Sequence, residues 1–65
     1  MKAEVYDKIQ AQLDLQRRLL DDMHETIQFG RDAGEDVSNV ENRYHNLLQK
    51  HNRWKAALGN AKREG

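Results

Sequence analysis

The sequence predicts an all-α protein: an antiparallel two-helix coiled-coil hairpin that completes a three- or four-helix bundle through further helices. Three observations carry this. There is no Pro, and only 4 Gly occur in 65 residues. Each half of the chain carries a seam of mostly apolar residues spaced alternately three and four apart, the period of packed helices. The two seams also mesh when one half is folded back on the other.

In the first half the seam reads Tyr6, Ile9, Leu13, Gln16, Leu20, Met23 and Ile27. Tyr6, Leu13, Leu20 and Ile27 take heptad position a, while Ile9, Gln16 and Met23 take d. This predicts a first helix over about 2–30. The stretch GRDAGED at 30–36 supplies the connection, with Gly30 expected at the C′ position, where a positive φ is commonly needed, and 31–36 as loop. The second seam reads Val37, Val40, Tyr44, Leu47, His51, Trp54, Leu58 and Ala61, predicting a helix over about 37–62. Ser38 and Glu41 have the spacing of a capping box, and Asp36 competes as N-cap. Glu35 and Asp36 also favour the positive end of that helix.

A short loop makes the helices antiparallel, so facing residue numbers have a constant sum. A sum of 67 pairs Ile27 with Val40, Met23 with Tyr44, Leu20 with Leu47 and Gln16 with His51. It goes on to pair Leu13 with Trp54, Ile9 with Leu58 and Tyr6 with Ala61. An a residue meets a d residue each time, and the two polar seam residues meet each other. Gln16 and His51 then read as a polar layer that fixes register. The alternative reading is a pH switch in which protonation of His51 loosens the hairpin.

One hairpin of this length buries little, and chains of this size usually need a staple or an oligomer. With no Cys there is no disulfide and no thiolate chemistry. More apolar surface must be buried elsewhere, and the sequence supplies it. Val5, Leu15, Leu19 and Phe29 flank the first seam at g and c, Ala57 faces the same side from g of the second helix, and Leu48 lies at e on the other flank. This stripe is wider than a two-stranded seam requires, so these residues are the expected partner interface. The expected occupant is a second copy or a helix of another protein.

Charge and motif content exclude several functions. Residues 1–36 carry five Lys/Arg against nine Asp/Glu, a balance of −4, and residues 37–65 carry six against two, a balance of +4. The halves attract each other, and the chain lacks the overall basic field of a nucleic-acid binder. With a mean hydropathy of −1.09 and no apolar run longer than Ala56-Ala57-Leu58, no membrane span is expected. No signal-like apolar segment is visible, so a cytoplasmic protein is the expectation. HETIQ at 24–28 approaches the HExxH zinc motif, but Gln28 replaces the second His. The sole Ser, Ser38, is explained as a cap, so no nucleophile–base arrangement exists. No enzyme activity, metal or cofactor is expected.

The stretch GRDAGEDVSNVENRYHNLLQKHNRWKAAL resembles the helix B to helix C portion of a spectrin repeat, as in spectrin, dystrophin, plakin and nesprin rods. The resemblance rests on Gly30, the small and acidic loop 32–36, Val40, the Tyr44-to-Leu47 stretch and Trp54. The chain departs from the family in having Ala57 where Leu is frequent, in Gly59, and in lacking a helix A. The resemblance implies a spacer or docking module, cytoskeletal or scaffold-associated, whose missing helix is supplied by another chain. A second expectation comes from a different class: a small dimeric four-helix-bundle RNA-binding regulator, with Arg43, Lys50, Arg53 and Lys55 on phosphates.

Overall fold

Alternating three- and four-residue spacing keeps one stripe of each helix turned toward its neighbour. The computed structural model, which describes residues 2–64, has that consequence. Helix α1 spans Ala3–Asp32 and helix α2 spans Ser38–Glu64, packed antiparallel along their length. Residues 1 and 65 of the expected single unit lie outside the described residues. Among the described residues there is no strand, and no helix is long and apolar enough to cross a membrane. The molecule measures 49 × 15 × 13 Å. Its radius of gyration is 15.1 Å, against about 11 Å for a compact domain of the same length. A rod of two helices has almost no interior, so most side chains lie on some face of it.

Both the end of α1 and its glycine differ from the sequence expectation. The helix continues two residues past Gly30, to Asp32. The residue with positive φ is Gly34, at 75°. The N–H of Glu35 donates to the carbonyl of Gly30 at 2.8 Å, and the N–H of Gly34 donates to the carbonyl of Arg31 at 3.0 Å. This pair of bonds is a Schellman cap with Gly34 at C′. Gly30 serves another purpose. It is buried, it continues the d positions of α1, and it faces Val37, the next pair in the sum of 67. A Cβ on Gly30 would overlap Cγ1 of Val37. The missing side chain is what lets α2 begin so close to α1.

Helix α2 starts with the Val37 carbonyl accepting from the N–H of Glu41 at 2.9 Å. Of the two candidate caps, Asp36 acts. Its Oδ1 accepts the backbone N–H of Ser38 at 3.0 Å and also the Ser38 hydroxyl. The expected Ser38–Glu41 capping box does not form, because the hydroxyl donates to Asp36 and the Glu41 carboxylate pairs with Arg31 at 3.1 Å. That ion pair joins the basic last turn of α1 to the acidic first turn of α2, the favourable charge at each helix end. Both groups are partly exposed, so the pair contributes about 0–1 kcal/mol.

Two outcomes follow from this closed end. Alanine gains about 1 kcal/mol over glycine in a helix, but overlap in a packed site costs about 1–3 kcal/mol. Gly30→Ala should therefore destabilise the hairpin in urea unfolding, and the same change should stabilise a Val37→Ala background. A stabilised Gly30→Ala single variant would show that the helices separate freely at that layer. The hydrogen bonds from the Ser38 hydroxyl and then its N–H hold the Asp36 carboxyl below the usual carboxylate range. A depressed folded-state value contributes stability above the ordinary pKa of about 3.9 that is lost as pH falls through the folded value. Asp36→Ala should thus lower the melting temperature at neutral pH, and the difference should vanish in strong acid.

Candidate interaction surface

The polar layer sits in the middle of the rod. Gln16 and His51 are buried, at 6% and 7% exposure. Nδ1 of His51 lies 3.0 Å from Oε1 of Gln16. An amide oxygen only accepts, so the imidazole donates through Nδ1–H. The two polar residues of the seam thus satisfy each other across the hairpin. At the open end the Tyr6 hydroxyl donates to the Ala61 carbonyl at 3.1 Å. Tyr6 with Ala61, Gln16 with His51 and Gly30 with Val37 are three contacts along the rod, and each pair sums to 67.

Burial across the seam is uneven. The buried apolar side chains are Leu13, Leu20, Ile27 and Leu58, all at a positions. Tyr6 and Tyr44, also at a, are half-buried, as are Ile9, Met23, Val40, Leu47 and Ala61 at d. On a helix d lies beside g, and a lies beside e. The hairpin is therefore open along its d and g side. There the flank residues lie free: Val5 is 40% exposed, Leu19 43%, Leu15 47% and Phe29 76%. Ala57 is exposed as well, while Leu48 on the e side is half-buried. The g and c flank and the half-buried d residues thus form one apolar face. Sequence reading found its flank but not its continuation into the seam. The adjacency of d and g on the helical wheel would have shown it.

Trp54 departs most from expectation. Its spacing places it in the seam opposite Leu13, yet it is 38% exposed. It sits at the border of the seam and the open face, at a d position whose outer side is uncovered. There it forms a notch of about 250 Å³ with Ile9, Ala57, Leu58 and Ala61. The Nζ of Lys50 stands 5.3 Å from the centre of its ring, within cation–π range.

The rest of the surface is polar. On the e side, Arg17, Lys55, Lys62 and Asp14 rim a groove of about 370 Å³ that reaches His51. His24, Tyr44 and His45 form an aromatic group with ring centres 6.2 and 5.8 Å apart. Among the described residues, no group of three His, Cys, Asp or Glu is placed to hold a metal. Every buried side-chain nitrogen and oxygen among the described residues has a hydrogen-bond partner. The apolar face is thus the feature of this surface that hydration alone does not explain. Comparison with protein-family models, curated proteins and solved structures gives no significant match.

The polar layer has a measurable signature. Gln16→Leu leaves the Nδ1–H of a buried imidazole without a partner, which costs about 1–3 kcal/mol. Replacing both residues by Leu removes that penalty, so the double variant should unfold at least as high in urea as the parent. A single variant as stable as the parent would mean that His51 finds another acceptor.

Proposed function

We propose that the chain is a structural protein–protein interaction module, a spectrin-repeat-like helical hairpin of a scaffold or cytoskeletal assembly that works by burying its open face against other helices. The observation that carries this reading is the disproportion between interior and face. Among the described residues four apolar side chains are buried, while Val5, Leu15, Leu19, Phe29 and Trp54 lie exposed. Single exposed apolar residues are ordinary, but several on one side of a hairpin mark a place for another helix. The function is mechanical: α1 and α2 hold the face rigid, the Gln16–His51 layer holds its register, and docking completes the bundle.

The test is a substitution on the face that spares the seam. Leu19→Asp puts a charge where apolar burial is required on docking, so it should abolish association as read by sedimentation. Trp54 supplies an internal reporter, because its emission should shift to the blue when the face is covered and stay unchanged in the Leu19→Asp variant. A folded wild-type monomer whose melting and Trp54 emission are indifferent to Leu19→Asp would refute the reading.

A further inference from the structure

We propose that the occupant of the open face is a second copy of this chain, related by a twofold axis parallel to the helices, with both loops at one end of a four-helix bundle. This rests on the interaction-module reading and adds the identity and orientation of the partner. Two hairpins stacked face to face have two twofold arrangements. With the axis along the helices, each α1 lies antiparallel to the partner's α2. With the axis across them, each helix lies against its own copy and the loops point to opposite ends.

Charge decides between these. The rim of the open face on α2 carries Arg43, Lys50 and Arg53, all exposed. Lying against its own copy, α2 would bring these three cations together with the same three. Lying against α1, it meets a flank whose g and c positions carry one cation, Lys8, and one acid, Asp22, so the clash of like charges is avoided. The net charge of the whole chain is +0, so pairing two copies accumulates no charge. Interface charges chiefly set orientation and exclude wrong pairings, and the apolar face supplies the affinity.

The geometry also gives a register. Rotation about an axis along the helices changes no residue's height, so the sum of 67 holds across the new interface. Asp22 then stands level with residue 45 of the second copy. It is two residues, about 3 Å, from the level of that copy's Arg43. Leu15 stands level with residue 52, about 3 Å from the level of Trp54, and so over the apolar notch.

Sedimentation equilibrium should give twice the chain mass of 7.6 kDa. Arg43→Glu should weaken the dimer about tenfold or more, and Asp22→Arg combined with Arg43→Glu should restore most of the loss. The chain has no Cys, so a single Ala33→Cys in the loop accepts one spin label per copy. Loops at one end should give a label separation of about 20–30 Å, given interaxial distances of 8–10 Å. A separation near the 49 Å length of the rod overturns the orientation, and so does a charge swap that fails to rescue. A mass of 7.6 kDa up to millimolar concentration overturns the second copy. If that monomer binds an anilinonaphthalene sulfonate dye that Leu19→Asp excludes, the interaction face stands with another occupant. If dye binding is absent and Leu19→Asp changes nothing, the face reading falls too.

Discussion

The hydrogen bond between Gln16 and His51 constrains everything else in the hairpin. Apolar seams tolerate sliding, because any Leu can sit opposite another. A slide of one heptad would set Gln16 against Tyr44 or Leu58, and His51 against Ile9 or Met23. Two buried polar groups would lose each other, at about 1–3 kcal/mol apiece. With the middle pinned, the two ends have no freedom. Gly30 must meet Val37 and Tyr6 must meet Ala61, the contacts observed at the closed and open ends. The loop then has to connect helices that touch at their last layer, which a Schellman turn at Gly34 achieves in few residues.

Periodicity made the helices and their register legible, because both are consequences of where apolar residues recur. What it did not resolve were positions where one residue type has two uses. A glycine near a helix end serves either as a C′ residue or as a point of close approach. Gly30 and Gly34 take one role each, and only the contact with Val37 tells them apart. Asp36 and Ser38 could each have capped α2, and the choice was made by the hydroxyl donating rather than accepting. Trp54 has the spacing of a core residue, but spacing carries no information about volume. Its exposure depends on what lies outside the d positions, which a two-helix pattern does not specify.

The open face has a thermodynamic side. With four apolar side chains buried among the described residues, the hairpin draws little stability from itself. A partner docked on the face as proposed would bind the folded state alone, so it would raise stability in proportion to the logarithm of its free concentration. Folding and assembly would then be one equilibrium read from two ends. Under that proposal a substitution on the face would act on the melting temperature through binding, whereas one at Gly30 or Gln16 acts on the hairpin directly.

The Tyr6–Ala61 contact joins the start of α1 to the end of α2. The carbonyl of Ala61 lies in the last turn of α2. The hydroxyl that donates to it comes from the first turns of α1, 55 positions away. Helix ends ordinarily fray one at a time. Here, unwinding the start of α1 removes a hydrogen bond from the end of α2, and the reverse holds as well. The two tips are thermodynamically coupled, so backbone amides at opposite ends of the sequence should open to solvent exchange together.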